Sequence, residues 1–296
     1  MSKQVIFRGA ATALITPFTE TGIDYENLGR LIDWQIEEGT DAIVICGTTG
    51  ESSTMTDEEH QSCIAYAAER INGRIPLIAG TGSNDTAYAV NLTRFAKSAG
   101  ADAALVVTPY YNKATQKGLI RHFNAIADEG GLPVILYNVP SRTGCSIEPA
   151  TYAELAKNEN IVGIKEANAN IVKIVETMAL VGDNITLYSG NDDEITPLMA
   201  LGAQGCISVL SNLLPGETSR LCHLCLEGDY KKANELQFRY LPLINALFSE
   251  VNPIPVKAAM NAMGWCSDVI RMPLTEMDEA KREKMLGLMR EQGISV

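Results

Sequence analysis

Eight short runs of β-branched and apolar residues recur along this 296-residue chain, separated by segments long enough to form helices. The runs are Ala11–Ile15, Ala42–Cys46, Pro76–Ala79, Ala103–Val107, Pro133–Tyr137, Ile161–Lys165, Thr186–Ser189 and Gly205–Val209. The intervening stretches carry the three-and-four spacing of amphipathic helices, as in Leu28, Leu31, Ile32 and Ile36, or Val90, Leu92, Phe95 and Ala96. Strands joined through helices pair in parallel, and runs that are apolar on both faces need cover on both sides. The junctions repeat as well. Gly39-Thr40-Asp41-Ala42, Gly100-Ala101-Asp102-Ala103 and Gly202-Ala203-Gln204-Gly205 each set a glycine after a helix, where a left-handed cap suits it.

Eight such units predict an α/β fold of the closed (β/α)8 TIM-barrel type over residues 1–228. An open doubly wound sheet fits less well, because its dinucleotide fingerprint is missing; Gly80-Thr81-Gly82-Ser83-Asn84 lacks the third glycine. Beyond Asp229 the strand signal stops. Amphipathic helix follows through Leu236, Leu241, Ile244 and Leu247, then over Val256–Met263 and Met277–Met289, with a break at Asn252-Pro253-Ile254-Pro255. No Ser/Gly-rich linker intervenes, so 229–296 is expected to be a helical appendage packed on the barrel.

The balance of 24 basic and 36 acidic residues, net −12, opposes binding to nucleic acid or to anionic membranes, and no basic run offsets it. No stretch approaches the ~20 apolar residues of a membrane span, and the start Met1-Ser2-Lys3-Gln4-Val5-Ile6 has no signal-like apolar core. A cytoplasmic protein is the expectation. The seven cysteines are scattered and read as reduced packing residues. Cys222-His223-Leu224-Cys225 falls inside a predicted helix and supplies too few ligands for zinc. The three histidines (60, 122, 223) also fall in predicted helices, away from strand ends.

In such a barrel the reacting groups gather where strands end. Lys165 closes the buried run Ile161-Val162-Gly163-Ile164, where an unpaired ammonium is costly and a lowered pKa leaves a nucleophilic amine. Strand two ends in Gly47-Thr48-Thr49-Gly50-Glu51-Ser52. Two readings of that loop stand: backbone N–H groups and hydroxyls that hold a carboxylate, or a glycine-rich turn before the helix opened by Thr56-Asp57-Glu58-Glu59. Strand four ends in Thr108-Pro109-Tyr110-Tyr111 and strand five in Tyr137-Asn138-Val139-Pro140-Ser141-Arg142. Tyrosine can relay protons and a guanidinium can grip a carboxylate, although a lone tyrosine is more often packing. Lysine, loop, tyrosines and arginine together suit Schiff-base chemistry on a 2-oxo acid. The protonated imine is then the electron sink, so neither metal nor cofactor is expected. Asp192-Asp193-Glu194 reads as acids in the first turn of a helix.

Gly47-Thr48-Thr49-Gly50-Glu51, Tyr137 to Thr143 and Gly163-Ile164-Lys165-Glu166 resemble the signatures of the 4-hydroxy-tetrahydrodipicolinate (dihydrodipicolinate) synthases, and the similarity spans nearly the whole chain. These are pyruvate-dependent class I aldolases, lyases of the diaminopimelate route to lysine. The lysine motif marks the superfamily, which includes N-acetylneuraminate lyase, and Arg142 points to the synthase. The resemblance implies that Lys165 forms the imine with pyruvate, that Thr48 and Thr49 hold its carboxylate, and that Tyr137 moves protons. Thr49 and Tyr111 would complete the relay, with Tyr111 reaching in from a neighbouring subunit. Arg142 would bind L-aspartate 4-semialdehyde, Gly190 and Ile207 would line the pyruvate pocket, and the assembly would be a homotetramer built from two tight dimers. Ser52, Ser53, His60, Asn84 and Tyr110 match a lysine feedback site. Asp57 and Tyr88 depart from it, replacing a histidine and a glutamate, so weak or absent lysine inhibition is expected. The alternatives are an aldolase for sugar-derived 2-oxo acids and an inactive barrel that only binds a 2-oxo acid.

Overall fold

The computed structural model describes residues 3–182 and 184–296; Met1 and Ser2 of the N-terminal stretch lie outside them. Eight parallel strands close into a barrel: β1 Gly9–Ala13, β2 Ala42–Ile45, β3 Leu77–Gly80, β4 Ala103–Val107, β5 Val134–Asn138, β6 Ile161–Glu166, β7 Thr186–Ser189 and β8 Gly205–Ser208. β1 closes the ring by pairing with β2 through Ala11 and Ala42 and with β8 through Gly9 and Gly205. All eight expected strands are present, seven of them within one residue of the expected bounds. β1 begins and ends two residues earlier than expected, because its inward positions are filled by alanines (Ala11, Ala13) with little apolar signal.

The strands carry two cores. Ala11, Val44, Ile78, Leu105, Ile135 and Tyr137 face the lumen, which Phe7 plugs by stacking on Tyr188 with ring centroids 4.3 Å apart. Ile43, Ala79, Val106, Leu136 and Ile164 face the outer helices. This alternation decides where each chemical group goes. In the β5/β6 register Tyr137 lies beside Lys165 and Asn138 beside Glu166, so the first pair points one way and the second the other.

Local signals place the helices. α1 (Tyr25–Glu37) starts at the cap Asp24; α2 (Asp57–Ile71) starts at a capping box of Thr56 and Glu59; α3 (Thr86–Ala99) starts at Asp85 and ends at a left-handed Gly100. Two features had no sequence expectation: a two-stranded ribbon pairing Phe18–Thr19 with Gly22–Ile23, and a one-turn helix, Pro140–Thr143, that carries Arg142. The helices Tyr230–Leu247, Ile254–Ala262 and Glu279–Glu291 follow the barrel. They reach its C-terminal face through Asn252, Lys257 and Arg271.

Candidate active site

Strand register brings Tyr137 and Lys165 side by side at the ends of β5 and β6, with the lysine Nζ 4.2 Å from the centre of the phenol ring. Both are buried, Lys165 at 6% exposure and Tyr137 at 8%. A cavity of about 180 Å³ opens over them and is lined also by Thr48, Thr49, Arg142 and Gly190. At Gly190 a Cβ would come within 2.9 Å of both the Ala167 Cβ and the Glu166 carbonyl oxygen, so only glycine lets β7 leave the barrel so close to β6.

Burial drives the Lys165 ammonium down to about 8; Arg142 adds to the shift and Asp192 opposes it. About a tenth of the amine is therefore neutral at pH 7, roughly a few hundred times more than for a lysine of ordinary pKa. Burial pushes Tyr137 up to about 12, eased by Arg142 and the Thr48 hydroxyl. The phenol thus keeps its proton across the range in which the neighbouring lysine releases its own. Arg142 donates from its Nη2 to the Asn252 carbonyl (3.2 Å), which holds its guanidinium at the cavity wall.

The Gly47–Glu51 loop is a turn and a wall of the cavity at once, so its two sequence readings are compatible. Gly50 N–H donates to Gly47 O and Glu51 N–H to Thr48 O, both at 3.1 Å. Thr49 Oγ1 accepts from Asn252 Nδ2 (3.0 Å), which leaves its own proton available to donate.

Not every expected residue joins them. Ile207 is buried in β8 within the lumen core, and Val209, two positions on, lines the cavity. Tyr111 is 91% exposed in a left-handed backbone and does not line this chain's own cavity. Ser53, His60, Tyr88 and Tyr110 line a wider crevice of about 380 Å³ that shares Thr48, Tyr137 and Arg142 with the site. Asn84 donates to the Tyr110 carbonyl at 3.2 Å. Tyr88 and Asp57 face each other, the phenol donating to Oδ1 at 2.8 Å. All three histidines sit in helices: His60 and His122 are buried and His223 meets Asp41.

Sequence reading missed four residues. Asn252 and Phe248 enter the cavity from the helical region after the barrel, more than eighty positions beyond Lys165. Glu166 points outward, where Asn138, Tyr152 and the N–H groups of Ala167 and Asn168 all donate to it. Burial lifts its pKa to about 7 against those donors. Asp192 is not a solvated first-turn acid. It is 2% exposed, accepts from Val209 N–H (3.0 Å) and Leu210 N–H (2.8 Å), and acts electrostatically on Lys165. The local acid triplet hid it.

A (β/α)8 barrel with a buried, pKa-depressed lysine beside a phenol at the strand ends defines a class, the Schiff-base-forming lyases. A model of the dihydrodipicolinate synthetase family matches residues 6–292, and the chain belongs to that family. The 4-hydroxy-tetrahydrodipicolinate synthase of Lachnoclostridium phytofermentans is 55% identical over 291 residues, covering 98% of this chain and 99% of that one. The crystal structure of dihydrodipicolinate synthase from Aquifex aeolicus superposes with a TM-score of 0.96 at 47% identity, covering 98% and 99% of the two chains. The chloride-inhibited dihydrodipicolinate synthase of Acinetobacter baumannii, complexed with pyruvate, gives a TM-score of 0.95 at 44% identity, covering 98% of this chain and 100% of that one.

Proposed function

We propose that this protein condenses pyruvate with L-aspartate 4-semialdehyde to give (4S)-4-hydroxy-2,3,4,5-tetrahydrodipicolinate, in the diaminopimelate route to lysine. The carrying observation is the pairing of a buried Lys165 of lowered pKa with Tyr137 in one cavity that also holds Thr48, Thr49 and Arg142. The neutral amine attacks the pyruvate carbonyl, and water leaves to form an imine. Loss of a methyl proton gives an enamine that attacks the aldehyde carbon. The amine of the second substrate then displaces Lys165 and closes the ring.

Tyr137 holds and returns the protons of these steps, helped by Thr49 and by Tyr111 of a neighbouring subunit. The Thr48–Thr49 loop, with Gly190 beside it, holds the pyruvate carboxylate, and Arg142 grips that of the aldehyde. Residues 1–228 form the catalytic barrel and 229–296 its helical cover. The assembly is a homotetramer in the cytoplasm. Its inhibition by lysine is weak or absent, because Asp57 and Tyr88 satisfy each other. The sugar-acid aldolase reading is less favoured, since Arg142 gives the cavity a grip for an aldehyde that carries its own carboxylate, which a neutral sugar aldehyde lacks.

Borohydride with pyruvate should reduce the imine and leave a mass increase on the Lys165 peptide. Label elsewhere, or none, would sink the mechanism and leave the inactive-barrel reading. Turnover with aspartate semialdehyde is expected in a coupled assay, whereas turnover with a sugar acid alone would transfer the assignment to the aldolases.

A further inference from the structure

Behind the Thr48–Thr49 loop sits a buried ion pair that the mechanism does not use. Glu51 Oε1 accepts from Lys257 Nζ at 2.6 Å, and both side chains are 2% exposed. Both groups have further partners. Glu51 Oε2 accepts from Arg271 N–H (3.1 Å), and Lys257 Nζ donates to the Val269 carbonyl (2.7 Å) and lies 4.5 Å over the Phe18 ring, with the Arg271 guanidinium 4.0 Å from the same ring. Neither carboxylate nor ammonium lines the catalytic cavity.

The backbone explains what such a pair can do. Glu51 is held in the left-handed region at φ 56°, and so is Cys46 at φ 54°. Two non-glycine residues in that region bracket Gly47, Thr48, Thr49 and Gly50, and a strained conformation persists only where the surroundings over-determine it. On the barrel side Thr16 Oγ1 donates to the Gly50 carbonyl at 2.8 Å. On the other side the anchors of Glu51 and Thr49 all come from the helical region: Lys257, Arg271 and Asn252.

We infer that Glu51 and Lys257 are positioning residues, a strut from the helical region that fixes the loop in the conformation that receives the pyruvate carboxylate. This deepens the reaction proposed above and rests on it. The strut acts on the first substrate, so its loss is expected to weaken pyruvate binding while leaving the aldehyde grip of Arg142 intact.

The test uses the full-length protein and three variants: Glu51→Gln, Lys257→Met and the double Glu51→Met/Lys257→Met. Each is scored by the pyruvate concentration that gives half-maximal borohydride trapping, by the two KM values and by the thermal midpoint. Each single variant is expected to raise the pyruvate half-saturation by about tenfold with the aldehyde KM unchanged. A single variant also strands a buried polar partner and loses stability. The double removes both charges, so its thermal midpoint is expected to return toward the parent while its pyruvate half-saturation stays raised. Variants that melt lower but bind pyruvate like the parent, or a double that recovers both properties, would overturn the inference. Normal trapping by the parent with unchanged variants defeats this inference alone, whereas no trapping by the parent defeats the proposed reaction and the inference with it.

Discussion

Lys165 carries two consequences of one physical fact, its burial. Its pKa falls from 10.5 to about 8, so the nucleophilic form grows as pH rises through that value. Imine trapping at subsaturating pyruvate should therefore accelerate from pH 6.5 to a plateau above about 9; a flat profile would sink the assignment of the nucleophile. The same shift costs stability. The unfolded lysine binds its proton up to about 10.5 and the folded one only to about 8, so below 8 the fold bears the full cost of a desolvated ammonium, and stability recovers between the two values. Lys165→Met should thus be more stable than the parent at pH 7 by about 2–4 kcal/mol, with the gap closing toward pH 10.5. A variant melting below the parent at pH 7 would contradict this. Lys165 was legible in the sequence because a charge closed an apolar run. Asp192 was not, because two acidic neighbours offered a local explanation and the Val209 and Leu210 amides it serves lie on another strand's end.

At the scale of elements, the eight strands were readable because apolar runs and helical periods alternate along the barrel, with only the alanine-rich β1 displaced. What stayed hidden depends on contacts between distant segments. Nothing local to Asn252 announces that it reaches Thr49, and the turn carrying Arg142 is helical only because Pro140 starts it and Gly144, at φ 65°, stops it. The pairing of α2 and α3 belongs to the same category. Asp57 opens α2 and Tyr88 stands in the first turn of α3, and their 2.8 Å hydrogen bond spans one side of the crevice lined by Ser53, His60 and Tyr110. A cationic effector would find its carboxylate already engaged and the phenol protonated, since burial and Asp57 push Tyr88 up to about 12. Millimolar L-lysine is expected to leave the rate unchanged. Asp57→His combined with Tyr88→Glu should create inhibition, because a free glutamate offers a charge-assisted contact that strengthens binding by more than about tenfold. Micromolar inhibition of the parent would refute the reading.

Two exposed surfaces concern the whole molecule. The helix Ile171–Val181 turns Ile171, Val172, Val175 and Leu180 outward, the largest exposure being 62% at Val172. An apolar stripe of this kind suits one interface of the proposed tetramer, and if it serves there Val172→Asp with Val175→Asp should yield dimers in sedimentation analysis. The second surface is Tyr111, 91% exposed and outside the lining of its own chain's cavity. If it completes the site of a partner, each active site draws Lys165 from one protomer and Tyr111 from the other. Mixing Lys165→Ala protomers with Tyr111→Ala protomers then has a calculable outcome. In a hybrid dimer one site carries both defects and the other carries neither, because its lysine and its incoming tyrosine come from the unaltered positions. Random reassortment makes half the dimers hybrid, so two nearly inactive variants should together regain about a quarter of the parent activity. A mixture no more active than its components, with hybrids present by mass, would mean that Tyr111 acts within its own chain or not at all.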